Sequence, residues 1–159
     1  MLIPGVECEA LCGTNNFGTI TSRAFPSTSD DTKGVSDSEL QSARLTYSLF
    51  LSHVTSYLSS YLNSILSSPS PHNKLDGIVF SGGIGEKSAK LRADALAQFR
   101  WIEELAGTNG GIEEETNGGD GEGTREITKQ GSKVRAFVVE TDEEEEMIRI
   151  CEEELSKSS

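Results

Sequence analysis

The stretch Leu75–Leu96 combines three patterns that together constrain the fold more than any other part of the chain. Leu75 and Ile78–Phe80 form a short apolar, partly β-branched run with the length of a strand. A glycine-rich turn, Ser81–Gly85, follows and permits positive φ angles and close backbone approach. From Glu86 onward, apolar residues recur at helical spacing. This order predicts an α/β fold in which a strand leads through a glycine turn into the N-terminus of a helix.

The glycine turn has two interpretations. Backbone N–H groups at a helix N-terminus, together with the local dipole, favour an anion, most often a phosphate. Two common phosphate-binding motifs nevertheless fail here, because Ser88 replaces the third glycine of G-x-G-x-x-G. Ser81 and Glu86 likewise replace both glycines of the P-loop pattern. The pattern alone leaves open a phosphate-binding turn and an ordinary strand-to-helix turn without a ligand.

A long helix is predicted before this unit. Ser36 and Glu39 form a capping box, and the apolar residues from Leu40 to Ile65 keep a helical period. The Ser-Pro-rich stretch that follows ends the helix. His53 has no acid or cysteine at ligand spacing, which indicates a structural role.

The sequence predicts irregular structure near the start of the chain and regular structure near its end. Gly and Asn in Cys12–Ile20 predict a loop, and the Ser/Thr/Asp-rich stretch Ala24–Gly34 predicts a linker or an exposed loop. Val134–Val139 predicts a second strand, buried and parallel to the first. A helix starting with a capping box at Thr141 is expected after it, with an apolar face of Met147, Ile148, Cys151 and Leu155.

Charge is concentrated in the second part of the chain. Residues 1–100 hold 8 Lys and Arg against 9 Asp and Glu, whereas residues 101–159 hold 6 against 17. This distribution leaves no basic face for nucleic acid. Residues 107–131 combine glycines and acids with almost no apolar residue, so this segment is predicted to be disordered. An acidic interaction protein built around it is one alternative function.

Composition also limits the location of the protein. No apolar run approaches the length of a membrane span, and no signal peptide is visible at the start. Three cysteines, an odd number, suggest reduced thiols in a cytoplasmic protein, and no zinc site is expected.

Three segments resemble the acetate kinase family. FSGGIGEKSAKLR is similar to the family's nucleotide-binding segment, ARLTYSLFLSHVTSYLSSYL to the long helix before it, and VVETDEEEEMIR to the closing motif. Asn16-Phe17-Gly18 aligns with a further nucleotide-contacting segment, where the family carries an acid and a cation in place of Asn16 and Gly18.

The resemblance implies a set of site residues. The first glutamate of the closing motif, Glu143, would help to hold Mg²⁺, for which oxygen ligands are suited. No catalytic residue is implied, because the family's catalytic groups precede the region seen here. The implied nucleotide-binding residues are Asn16, Phe17, Gly18, Gly83, Ile84, Gly85, Glu86 and Lys87.

The resemblance implies a fold that is part of a ribonuclease-H-like α/β domain of the actin/hexokinase type. The implied reaction transfers a phosphoryl group from ATP to acetate and requires Mg²⁺, and the full-length enzyme is expected to be a homodimer. The chain resembles only the C-terminal part of such an enzyme, so the isolated chain is expected to be inactive. A degenerate nucleotide-binding or regulatory module and a propionate or butyrate kinase relative are the alternatives. The expected organisation is a starting loop and linker at 1–35, the helix and glycine unit at 36–106, the acidic insertion at 107–132, and a strand and helix at 133–159.

Overall fold

The computed structural model describes residues 9, 11–26, 35–67, 74–99 and 123–157. Five helices and three strands lie within these ranges. In chain order they are α1 (Phe17–Ala24), α2 (Asp37–Leu66), β1 (Gly77–Phe80), α3 (Gly82–Lys87), α4 (Ala89–Ala97), β2 (Thr124–Glu126), β3 (Arg135–Val139) and α5 (Glu143–Lys157).

The long helix α2 has the N-terminus that its sequence predicts. The Ser36 side chain accepts a hydrogen bond from the Glu39 backbone N–H, and the Glu39 carboxylate accepts one from the Ser36 backbone N–H at 2.8 Å. These bonds satisfy two N–H groups that would otherwise have no partner at the helix start. The helix then continues for 30 residues. The predicted capping box is therefore confirmed.

The described strands form one mixed sheet in the order β1-β3-β2. β1 and β3 are parallel, as the sequence predicts, and their register places Ile78 opposite Ala136. β2 runs antiparallel to β3, with Arg125 opposite Val138. α3 follows β1 and α5 follows β3. Because these two strands are parallel, their carboxyl ends lie at the same end of the sheet, and both helices begin there. This arrangement brings the glycine segment and the start of α5 together.

Buried side chains form three clusters within the described residues. One joins α1, α2 and α4, and another joins α4 to the inner face of the sheet. A third lies near the end of α2. The first cluster consists of Phe17, Ile20, Ala24, Ala43, Tyr47 and Leu91, and the second of Leu96, Ile127, Ala136 and Val138.

The predicted loop at Cys12–Ile20 is wrong for its second half, because α1 begins at Phe17. The local sequence of α1 is poor in strong helix formers, which is why composition predicted a loop. Phe17, Ile20 and Ala24 are buried against α2, and this packing overrides the weak local preference. Ala24 consequently ends a helix instead of opening a linker, and residues 27–34 of that predicted linker lie outside the described residues.

Two further predictions need correction. The glycine turn at Ser81–Gly85 is mostly helical, since α3 starts at Gly82, and the predicted helix is divided in two at Ser88. The acidic segment is not wholly unstructured, because Thr124–Glu126 forms β2. The Ile127 side chain, which follows, is fully buried and supplies the apolar contact that the remainder of this segment lacks. Residues 107–122 of the predicted insertion lie outside the described residues.

The predicted C-terminal helix is present over Glu143–Lys157. It does not start with the predicted capping box at Thr141, because the helix begins two residues later and the Thr141 hydroxyl donates to Glu86 Oε1 at 3.0 Å. Its expected apolar face is not covered by the described part of the chain, since Met147, Ile148, Cys151 and Leu155 are all exposed. Within the described ranges, no helix has both the length and the apolar composition that crossing a bilayer requires.

Candidate functional site

A cleft of about 650 Å³ lies between α1 and the glycine segment. This volume is in the range of small-molecule binding sites. Six of the eight residues predicted to bind nucleotide line the cleft, and they come from two distant parts of the sequence. The α1 side is formed by Asn16, Phe17, Gly18, Thr21, Ser22 and Phe25. The opposite side is formed by Gly83, Ile84, Lys87, Ser88 and Lys90.

The α1 wall is set by a helix cap and by aromatic packing. The Asn16 side chain accepts hydrogen bonds from the Thr19 backbone N–H at 2.9 Å and from the Thr19 hydroxyl at 3.2 Å, which fixes the start of α1. The buried Phe17 ring packs against Phe50, with 4.6 Å between ring centres. A Cβ at Gly18 would lie 3.3 Å from the Asn16 side-chain oxygen, so glycine leaves the cap undisturbed. Asn16 and Phe17 thus also have structural roles.

Sequence reasoning missed the other residues of this wall. Thr21 and Phe25 follow Phe17 at successive four-residue steps, and Ser22 follows Gly18 in the same way. Residues four apart lie on one face of a helix. The four-residue spacing therefore identifies these residues as one wall, but only for a segment that is helical, and the local sequence predicts a loop here.

The glycine segment forms the second wall. Gly82 has a φ of +71°, a backbone conformation that favours glycine, and it turns the chain from β1 into α3. Ile84 places an exposed apolar side chain at the cleft. The Lys87 side chain is also exposed and forms no ion pair with a carboxylate in the described part of the chain. This wall therefore offers an apolar contact beside an available positive charge.

Gly85 and Glu86, also predicted to bind nucleotide, do not line the cleft. The Glu86 carboxylate instead accepts hydrogen bonds from Gly82 N at 2.8 Å and from Thr141 N at 2.9 Å. The Thr141 hydroxyl donates to the same oxygen at 3.0 Å. These bonds, with the Thr141 backbone N–H the largest cause, lower the pKa of Glu86 and keep it ionised. The backbone N–H of Gly82, at the start of the glycine segment, therefore donates to a carboxylate of the chain itself and not to a bound anion.

A buried arginine, not predicted as a site residue, supports the end of α3. Arg92 is 1% exposed and donates from Nη1 to the carbonyl oxygens of Gly85 at 2.6 Å and Glu86 at 2.7 Å. Arg125 of β2 also donates to the Glu86 carbonyl oxygen, at 3.5 Å. Burial, and secondarily the charge of Arg125, lower the pKa of Arg92. The carbonyls of Gly85 and Glu86, near the end of α3, thereby have side-chain donors.

The rim of the cleft contains a second, partly neutralised cation. Lys90 Nζ lies 3.0 Å from Asp94 Oδ2 and 4.2 Å from the centre of the Phe25 ring. The buried Tyr47 hydroxyl donates to Asp94 Oδ2 at 2.7 Å. Burial, followed by the hydrogen bond and charge of Asp94, raises the pKa of Tyr47 far above its ordinary value. Tyr47 therefore stays neutral and helps to hold Asp94 beside Lys90.

The predicted metal ligand Glu143 is the first residue of α5, and its side chain lies outside the description. Its backbone position is two residues beyond Thr141, which is hydrogen-bonded to Glu86. The start of α5 and the glycine segment are therefore neighbours. No group of three or more His, Cys, Asp or Glu side chains arranged to hold a metal occurs among the described residues.

Comparison with known proteins gives consistent results. A probable acetate kinase from Cryptococcus neoformans is 41% identical over 147 residues, covering 92% of this chain and 31% of the relative. A probable acetate kinase from Neurospora crassa is 35% identical, covering 92% of this chain and 32% of the relative. The crystal structure of a propionate kinase from Francisella tularensis matches with a TM-score of 0.58 and 25% identity, over 86% of this chain and 28% of that one.

The structural match confirms the predicted fold, part of an actin/hexokinase-like α/β architecture. The chain spans about a third of the length of the curated relatives it matches. The sequence profile of the acetokinase family matches residues 25–149, which include the long helix, the glycine segment and the start of α5. Since this match covers most of the chain and the curated relatives agree with it, the chain belongs to the acetokinase family.

Proposed function

We propose that this chain forms the nucleotide-binding part of an acetate kinase, in which the γ-phosphoryl group of ATP is transferred to a carboxylate oxygen of acetate, giving acetyl phosphate and ADP. The observation that carries the proposal is the cleft itself. It joins Asn16–Gly18 to Gly83, Ile84 and Lys87, residues of two segments for which the family resemblance implies nucleotide binding. Family membership supplies the reaction type.

The chemistry of the cleft suits a nucleotide. Phe17, Phe25 and Ile84 offer apolar surface to a base or to the carbon face of a ribose, while Asn16 and Ser22 contribute polar groups to the lining. A site that combines apolar walls with a few polar groups is typical of cofactor and nucleotide sites.

Two lysines differ in the role that we assign to them. Lys87 has an exposed ammonium group without an ion pair to the described carboxylates, and it supplies positive charge for the phosphates. Lys90 is partly neutralised by Asp94 and stacked on Phe25, so it is better suited to hydrogen-bond an uncharged part of the ligand.

The donor set near the start of α5 fits Mg²⁺. The first residues of α5 are glutamates, and Mg²⁺ prefers oxygen ligands such as carboxylates. When phosphates are present, Mg²⁺ keeps several waters and needs only one or two protein carboxylates. We assign the carboxylate to Glu143. When bound, Mg²⁺ would neutralise the charge of the phosphates, which phosphoryl transfer requires.

Acetate is proposed as the acceptor, and propionate is the second candidate because a propionate kinase shares the fold at 25% identity. The cleft described here does not select between them, since the acyl group would bind to parts of the relatives that this chain does not cover. We also propose a homodimer in the cytoplasm for the full-length relative, and no turnover by the isolated chain.

Calorimetric titration of the purified chain with ADP, with and without Mg²⁺, tests the proposal. We expect saturable binding that is stronger with Mg²⁺. Lys87→Ala should weaken binding by about tenfold, which corresponds to roughly 1.4 kcal/mol and is reasonable for one charge-assisted contact. Lys74→Ala is the matched control, because Lys74 is an exposed lysine that pairs with Asp76 and does not line the cleft.

Absence of ADP binding by the unaltered chain would refute the proposed function. An equal effect of the two lysine variants would refute the assigned position of the phosphates. A separate assay for acetyl phosphate, with ATP, Mg²⁺ and acetate, should show no product from the isolated chain, and product formation would contradict that expectation.

A further inference from the structure

One carboxylate oxygen joins two distant segments of the chain at the back of the glycine segment. Glu86 Oε1 accepts three hydrogen bonds, one from Gly82 N and two from Thr141, all between 2.8 and 3.0 Å. Gly82 is the first residue of α3, and Thr141 lies in the connection between β3 and α5. A single ionised oxygen thus holds the beginning of α3 against the segment that leads into α5.

The backbone carbonyl of the same residue is held by two arginines. The Glu86 carbonyl oxygen accepts hydrogen bonds from Arg92 of α4 at 2.7 Å and from Arg125 of β2 at 3.5 Å. Glu86 is consequently in contact with four separate parts of the fold: the start of α3, α4, β2 and the connection that precedes α5. α3 is only six residues long, and a helix of this length is not stable by itself. The orientation of its other residues therefore depends on these contacts.

We propose that Glu86 is a positioning residue and not a nucleotide ligand. Its carboxylate fixes α3 so that Gly83, Ile84 and Lys87 face the cleft, and it fixes the connection to α5 that carries Glu143 at its end. The inference rests on the proposed function for the identity of the ligand. The contacts of Glu86 themselves do not depend on it.

The strength of these contacts decides the size of the expected effect. Thr141 is exposed, so water competes with each of its hydrogen bonds to Glu86. Three donors on one charged oxygen nevertheless restrict its position more than any one of them would. Loss of Glu86 should therefore loosen α3 and the α5 connection locally, while the three hydrophobic clusters remain folded.

Glutamine and alanine at position 86 separate the possible roles. The amide oxygen of Glu86→Gln can still accept hydrogen bonds from Gly82 and Thr141, although it lacks the negative charge. Glu86→Ala removes the acceptor altogether. A residue that acts by holding these donors is rescued by glutamine, whereas a residue that binds a metal or acts through its charge is not.

The first measurement needs no ligand. Hydrogen exchange of the Gly82 and Thr141 backbone amides should be slow in the unaltered chain, faster in Glu86→Ala and largely restored in Glu86→Gln. Glu140→Ala is the matched control, since Glu140 is the neighbour of Thr141 but accepts its hydrogen bond from Gly123 N at 2.9 Å. Fast exchange of both amides in the unaltered chain, or no change in Glu86→Ala, would overturn the proposal.

The second measurement is the affinity for ADP with Mg²⁺. We expect about tenfold weaker binding for Glu86→Ala, as is common when a supporting residue behind a site is lost. Glu86→Gln should remain within about threefold of the unaltered chain, because its oxygen still accepts the same donors. Equal losses in both variants would overturn the positioning role in favour of a charge or ligand role.

The two proposals fail in different ways. If the unaltered chain binds no ADP, the proposed function is refuted, and amide exchange at Gly82 and Thr141 then decides the role of Glu86 alone. If ADP binds and the glutamine variant behaves like the alanine variant, the nucleotide site stands and the positioning role is overturned. The unfolding midpoint of each variant, measured without ligand, confirms that the chain is folded.

Discussion

Replacing the buried Arg92 with methionine should destabilise the protein strongly. Arg92 donates to two carbonyl oxygens at the end of α3, at 2.6 and 2.7 Å, and is 1% exposed. Hydrogen bonds that involve a charged group contribute about 1.5–3 kcal/mol each, so losing both would cost roughly 3–6 kcal/mol. Methionine also avoids the desolvation of a buried cation and its repulsion by Arg125, which offsets part of that loss. We therefore expect the free energy of unfolding to fall by about 3 kcal/mol.

Urea denaturation followed by far-ultraviolet circular dichroism measures this change, provided that the slope of the transition is the same in each variant. Arg92→Lys keeps a cation, but the lysine side chain is one atom shorter than the path to Arg92 Nη1, which contacts both carbonyls. The lysine ammonium therefore reaches these carbonyls less well, and the variant should lose about half as much. Arg135→Met serves as a control, because Arg135 forms an exposed pair with Glu126 and should shift the midpoint far less.

A loss below about 1 kcal/mol for Arg92→Met would refute the reasoning, since it would approach the effect of about 0.5 kcal/mol or less that is usual for a surface substitution. An equal loss for Arg135→Met would refute it as well. If Arg92→Met proves too unstable to purify, Arg92→Lys provides the test. This variant must then remain folded, with a free energy of unfolding lower than that of the unaltered chain.

Three further outcomes are expected. Ile127→Ala should lower the free energy of unfolding by about 2–5 kcal/mol in urea titrations, because Ile127 is fully buried, and a loss under 1 kcal/mol would contradict the structure of this segment. Ser36→Ala should cost about 1 kcal/mol in the same assay through loss of the α2 cap, and no change would mean that this cap is dispensable. The hydrogen bond with Arg135 lowers the pKa of Glu126 from 4.5 to about 2. Its stabilisation is thus complete above the unfolded value and is lost as the pH falls from 4.5 towards 2, and Glu126→Gln should reduce this dependence in acid titrations of stability.

Several elements were predictable because their causes lie within a few residues along the chain. The capping box at Ser36 and Glu39 defines the start of α2, and short apolar β-branched runs define β1 and β3. Local pairing and periodicity are encoded directly in the order of the residues. The sequence also contains both segments of the candidate site, which resemblance identified separately.

Only the tertiary structure decided how these parts combine. α1 is helical because its apolar residues are buried against α2, although its local sequence predicts a loop. The cleft exists because α1 and the glycine segment face each other across a gap that no local pattern encodes. Glu86 belongs to the glycine segment, for which the family resemblance implies nucleotide binding. Its carboxylate turns away because Thr141, distant in the chain, lies within hydrogen-bonding distance, and the choice of such a partner depends on the folded geometry.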